Sequence, residues 1–285
     1  MPPLHVRLMC LILLLAATSA FAMNKDTVDD YLRQARDALG SKEADKAIHL
    51  ATKAIDADPK DARGYLGRGL IHEVLRHHDK AIADFDACLK RDPKNAEAYD
   101  HRGSEQFILG HIKEALADFD AFLKLRPREA PGHWKRGIAL YYAGRYAEGR
   151  QQFKDGEKIF ADDVENAVWH FLCNAKVNGI DKARAEMLKV GPDRRVPMMK
   201  VYDLFLDKCK PADVMKAAQA GDVPAELRKM QLFYAHLYLG LYFDAQGEKA
   251  KAREHMDLAA GKYRLGYMGD VAHVHAEMLR KEEKK

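Results

Sequence analysis

The stretch AIADFDACLKRDP at residues 81–93 returns as ALADFDAFLKLRP at residues 115–127, with nine of thirteen positions identical. The interval is 34 residues, and several residue types keep it at once. Pro59, Pro93 and Pro127 share one column; Gly69, Gly103 and Gly137 share another. Ala47, Ala81 and Ala115 form a third, continued by Gly149, while Phe85, Phe119 and Phe153 form a fourth and Tyr31, Tyr65 and Tyr99 a fifth. An active site is rarely written twice in series. A self-similar period of this length instead marks a stack of short units, each unable to bury its own apolar face until the next copy covers it.

The columns say what one unit is. Gly and Ala put the smallest side chains where two antiparallel helices cross, so the backbones can approach closely. Each Phe falls four residues after the small column, on the same helical face, and fills the space between successive pairs. Each Pro ends a second helix, because the residue before it is pushed out of the α region. An all-α fold of stacked antiparallel helix pairs follows.

The order aromatic, Gly, Ala, Phe, Pro within this period resembles the tetratricopeptide repeat, TPR. The resemblance implies a superhelical α-α solenoid. Units fall at residues 28–61, 62–95, 96–129 and 130–163, the first with Ala35 in place of Gly, the fourth with Trp134 one place late. Residues 164–224 lose the columns but keep helical periodicity, in ENAVWHFLCNAKV, DKARAEMLK, VPMMKVYDLFLDK and PADVMKAAQA, with Pro197 and Pro211 near helix starts. Gly240, Gly247, Ala252, Met256 and Ala259 restore the pattern as a fifth unit, and a last helix over about 270–283 caps residues 225–285. The array and the later helices are expected to form one continuous body.

Residues 1–22 read as a secretory signal peptide: His5 and Arg7, the apolar run LMCLILLLAA, then small residues ending Ala20-Phe21-Ala22. The run is too short to favour a spanning helix, so the mature chain, 23–285, is expected to be periplasmic or secreted without a stable membrane anchor. Whether the peptide is cleaved or retained is left open by its sequence. RGIALYYAGR at 136–145, with the Asp-rich turn and the Trp169 helix after it, resembles the family of the periplasmic TPR lipoprotein NlpI. That likeness implies an envelope adaptor that holds partner proteins, often as a homodimer. Cys10 opens the apolar run, whereas a lipid-attachment cysteine would close it, so no lipid is expected.

Lys plus Arg number 47 against 43 Asp plus Glu, interleaved throughout, which argues against nucleic acid as a partner. Cys88, Cys173 and Cys209 lack the pair spacings of a zinc site. Buried free thiols are expected, with a Cys173–Cys209 bridge as the alternative. In HEVLRH, residues 72–77, the second His lies five residues after the first, about 140° from the face a metalloprotease helix requires. His77 and His78 fall in an inter-helix turn and are expected in solvent, and Asp84, Asp86, Asp118 and Asp120, flanking repeat phenylalanines, on a solvated face. Phosphate loops, nucleophile elbows and Cys-x-x-Cys pairs are lacking in the sequence. No catalytic, metal or cofactor site is therefore expected.

The TPR resemblance places Leu70, His101, Phe107, Ile138, Tyr141 and Tyr142 along the groove that would receive a peptide or helix of another protein, with Phe107 and Tyr141 at one repeat position. Some of these apolar residues the stack itself must bury. The function expected is a protein-binding adaptor; the alternatives are a self-associating assembly protein and a hydrolase on a helical scaffold.

Overall fold

A helix stops two residues before each proline of the repeat column. In the computed structural model, which describes residues 27–283, α2 (Ala44–Ala57), α4 (His78–Arg91) and α6 (Ile112–Leu125) end just ahead of Pro59, Pro93 and Pro127. Their partners are α1 (27–40), α3 (Ala62–Val74) and α5 (Ala96–Ile108), and the fourth pair is α7 (Trp134–Tyr142) with α8 (Tyr146–Asp155). Among the described residues there is no strand, and the fold is an all-α TPR-type solenoid of helix pairs.

The close crossings are those the small-residue columns require. A Cβ at Gly69 would lie 2.7 Å from Phe85 Cε1, and one at Gly137 would lie 2.6 Å from Phe153 Cζ. In each case the glycine admits an aromatic ring sixteen residues on, and Phe85, Phe119 and Phe153 are accordingly buried. Gly149 takes the Ala column's place because Cys173 Sγ occupies the space of a methyl, 2.9 Å from where its Cβ would be.

A column that sequence reading passed over binds the pairs electrostatically. Arg68, Arg102 and Arg136 are also 34 apart. Arg68 donates to Thr52 Oγ1 at 3.1 Å and bidentately to Asp84 at 2.9 and 2.7 Å, sixteen residues behind and sixteen ahead. Arg136 repeats this with Asp120 at 2.7 Å and Gln152 at 3.1 Å, and Arg102 reaches back to Asp86 at 2.5 Å. The aspartates expected on a solvated face therefore divide: Asp84 and Asp118 are buried, whereas Asp86 and Asp120 remain about half exposed. Burial of Asp84 is tolerable because the planar guanidinium satisfies both its oxygens.

The turn within each pair also repeats. Lys42, Arg76, Gly110 and Gly144, again 34 apart, all have positive φ, of 63°, 59°, 79° and 74°. Glycine is strain-free there; the first two repeats hold a β-carbon in the left-handed region instead.

The chain divides into two compact units, one ending at Glu105 and the other beginning at Gln106. The second unit contains the irregular helices. α9 (Val164–Asn178) packs on α7, α8, α10 (Ile180–Ala185) and α11 (Met198–Phe205), and Val168 to Asn174 are buried without interruption, as for a helix surrounded on all sides. α10 ends earlier than its sequence pattern suggests, because the chain leaves the helix to bury Met187 and Leu188, whose carbonyl accepts from Tyr202 at 3.0 Å. α12 (Pro211–Gln219) leads to α13 (Ala225–Ala245) and α14 (Lys249–Ala260), where Gly240 meets Met256 as Gly137 meets Phe153. Cys88, Cys173 and Cys209 are free thiols, the first two buried and Cys209 half-buried.

The Gly137 and Gly240 contacts of the second unit should respond differently to one methyl. A Cβ at Gly240 would lie 2.8 Å from Met256 Cε, the end of a flexible chain, while at Gly137 it meets a rigid ring. Overpacking costs about 1–3 kcal/mol, and Gly→Ala in a helix returns about 0.8–1 kcal/mol. Gly137→Ala is expected to lower the second unit's stability, and Gly240→Ala to leave it within about 1 kcal/mol, as measured by urea denaturation of both variants.

Candidate functional site

The last helix decides what the inner face of the second unit can do. α15 (Gly266–Glu283) lies against α13 and α14. From it, Tyr267 stacks on Phe107 with ring centroids 5.7 Å apart and meets Trp134 edge-on at 5.3 Å, and Lys135 Nζ lies 5.8 Å from the Tyr267 ring. Two turns on, His275 Nδ1 is 3.0 Å from the Tyr142 hydroxyl, and its ring meets Tyr142 edge-on at 5.8 Å.

This contact corrects the expected groove. Phe107, Ile138 and Tyr141 are 0%, 1% and 4% exposed, so none of them offers a surface to a partner in this conformation. Phe107 is covered by Tyr267 and Tyr142, and Tyr141 by Tyr142, Tyr146 and Trp169. The family position is the same; the occupant is this chain's own helix and its aromatic neighbours. In the first unit, Leu70 is half-buried, and His101 Nδ1 is held by Glu73 Oε2 at 2.6 Å with its ring stacked on Phe85. His78, expected in solvent, is bonded through Nδ1 to the buried Glu105 at 2.6 Å.

Among the expected groove residues of the second unit, Tyr142 is half-buried, whereas Phe107, Ile138 and Tyr141 are buried. Tyr142 lines a cleft of about 650 Å³ between the α5–α6 turn and α15. Ile108, Leu109 and Ile112 form one wall, Val274 and Met278 the other, and Glu277, Lys281 and Glu282 edge the mouth. Leu109 is 36% exposed, a leucine at the tip of a turn with an apolar cleft beside it. Sequence reading missed this wall because α15 supplies half of it from more than 150 residues away.

The second unit also buries several histidines. His275 is fully buried 3.7 Å from Asp244 Oδ2; burial pushes its pKa down from 6.5 to about 4, against the pull of Asp244. Burial likewise lowers His236 and His170 to about 4, with His255 adding to the effect on His236 across an Nδ1–Nδ1 distance of 2.9 Å, and Lys154 to that on His170. These imidazoles act as neutral packing groups at pH 7. Among the described residues no group of three or more His, Cys, Asp or Glu could hold a metal ion, and no helix is long and apolar enough to cross a membrane.

The arrangement of stacked helix pairs with an apolar cleft and polar edges is that of an interaction module. The tetratricopeptide repeat family model matches residues 32–96 and 102–164. Those two segments carry TPR repeats, a fold that suggests protein–protein interaction. Among solved structures, a tetratricopeptide repeat protein from Parabacteroides merdae is similar at 16% identity and a TM-score of 0.58, over 90% of this chain and 99% of that one. The MamA protein is similar at 18% identity and a TM-score of 0.53, over 70% of this chain and all of the other, and MamA from Desulfovibrio magneticus RS-1 at 16% and 0.51, over 56% and 90%. At these identities the likeness is one of fold. No curated relative matches the chain.

The histidines make the second unit sensitive to acid. Each binds a proton in the unfolded chain near its ordinary 6.5 and in the folded chain only near 4, so their stabilisation is complete above about pH 6.5 and declines as pH falls toward 4. Each contributes a slope of up to about 1.4 kcal/mol per pH unit in that window. Denaturation midpoints of the whole chain between pH 7.5 and 4.5 are expected to fall mainly below pH 6.5, and less in His236→Gln than in the wild type.

Proposed function

We propose that this protein is an exported adaptor that holds a short apolar or helical segment of a partner protein in the cleft walled by Ile108, Leu109, Ile112, Tyr142, Val274 and Met278. The observation that carries the reading is the cleft itself: the exposed Leu109 and the half-buried Ile108 and Ile112 of a TPR turn, lining one cleft with Val274 and Met278 of α15 and with the charged Glu277, Lys281 and Glu282. Such an edge-charged apolar groove suits an amphipathic helix, whose apolar anchors enter while its polar face stays in water. The signal-peptide reading of residues 1–22, which lie outside the described residues, supports export to the periplasm or beyond. The NlpI-like segment at 136–145 supports an envelope adaptor, and a homodimer is the arrangement that likeness favours.

Within this reading the first unit is a second docking arm. Val74, at the repeat position of Ile108 and Tyr142, is 64% exposed at the end of α3, next to the Glu73–His101 pair. The reading assigns the protein no chemistry of its own.

Affinity capture from an envelope fraction tests the cleft. Leu109→Glu with Met278→Glu puts two charges among the apolar walls without touching a fully buried side chain. Truncation of an anchoring side chain at an interface commonly costs about 2 kcal/mol or more, and a charge costs no less. The double variant is expected to melt within a few degrees of wild type and to lose the proteins that wild type co-purifies. Capture equal to wild type would place the partner elsewhere.

A further inference from the structure

We propose that a second, smaller pocket, walled by Trp134, Phe153, Phe160 and Trp169 and edged by Asp163 and Glu165, binds an organic cation: an alkylammonium or guanidinium group. The pocket has a volume of about 200 Å³ and is made by α7, α8, the start of α9 and the start of α15, all within the second unit. Four aromatic rings meet in it, and no Lys, Arg or His is among the residues that line it.

The electrostatics have one sign. Asp163 caps α9 by accepting from Glu165 N at 2.8 Å. Asp163, Glu165 and Asp193 all converge on the guanidinium of Arg195, at 2.7, 2.8 and 2.6 Å. Three carboxylates thus share one cation. Tyr238 donates to Glu165 Oε1 at 2.5 Å, which satisfies an oxygen but adds no charge. Of the three, Asp163 and Glu165 face the pocket. The carboxylate charge in excess of Arg195 borders a space walled by aromatic side chains, a combination that favours a cation over an anion or a neutral group of the same shape.

Size narrows the class. A pocket of about 200 Å³ suits a chain of four or so carbons bearing one charged group. A free amine and a Lys or Arg side chain of a partner protein present the same chemistry, and only the test separates them. The inference does not need the cleft to be a binding site.

The protein carries its own reporter, since its two tryptophans both line this pocket. Tryptophan emission of the whole chain is followed during titration with n-butylammonium, with butylguanidinium and with neutral 1-pentanol. A saturable change with the cations, at roughly millimolar concentration, and none with pentanol is expected. Glu165→Gln keeps an acceptor for Tyr238 and Asp163→Asn keeps the helix cap, so either variant should fold, as checked by its circular dichroism melt; affinity for the cation should drop about tenfold or more in each. An acetylated, amidated Gly-Lys-Gly peptide is the second arm: binding as tight as the free amine assigns the pocket to a partner's side chain, and binding of the free amine alone assigns it to a small molecule, either of which supports a cation site. Pentanol titrating as the cations do, no saturable change with any cation, or unaltered affinity in the folded variants would overturn it.

Discussion

The structure depends on one short distance, the approach of a first helix to a second where glycine faces an aromatic ring. Gly69 against Phe85 and Gly137 against Phe153 leave no room for a methyl group, and the ring then fills the gap to the neighbouring pair. Everything periodic in the chain serves that contact. The Ala column thins the second helix above the ring, the proline stops the helix once the ring is placed, and the turn is tight enough to need positive φ. The arginine column adds direction: a guanidinium that reaches sixteen residues back and sixteen ahead is satisfied only when the pairs are stacked in one register. Apolar contact drives the stacking and the bidentate bonds select among ways of stacking.

The second unit shows what happens when such an array is terminated by its own chain. A bare inner face would leave Phe107 and Tyr142 in water; α15 covers Phe107 with Tyr267 and meets Tyr142 with His275. The cover is incomplete, and the gap it leaves at the α5–α6 turn is the apolar cleft. Burial of the aromatic column and the existence of a cleft thus have one cause. The same helix contributes Met268 to the small aromatic pocket, so both openings draw on one covering element.

How much of this the sequence displayed follows from range. The repeat columns are local facts, and they predicted the helix ends at Pro59, Pro93 and Pro127, the buried phenylalanines and the Gly240–Met256 pair. The Arg and positive-φ columns were equally present at 34-residue spacing but are chemically less conspicuous, since Arg reads as a surface residue and Lys42 and Arg76 disguise a glycine position. The groove failed for a different reason. Phe107 and Tyr141 occupy positions that the resemblance assigns to binding, and only a contact with a helix from Gly266 onward reveals that Phe107 is covered. Nothing within a repeat encodes where a later helix will lie. Tyr142, the last residue of α7, differs from Phe107 and Tyr141 in lining the cleft.

The carboxylates around Arg195 join the two kinds of argument. Asp193 and Arg195 lie in the connection between α10 and α11, and they tie it to the first turn of α9 through Asp163 and Glu165. As a fold device this is costly, since each buried ion must be removed from water, and removing one partner of such a group commonly costs about 3–5 kcal/mol. Two carboxylates would have sufficed to hold a guanidinium by its fork. The third leaves the group short of positive charge, while burial already holds Glu165 above the usual carboxylate range. A structural role accounts for the presence of Arg195 but not for the excess around it. A ligand that brings the missing charge would relieve that excess, so occupancy of the pocket should tighten the same connection that shapes it.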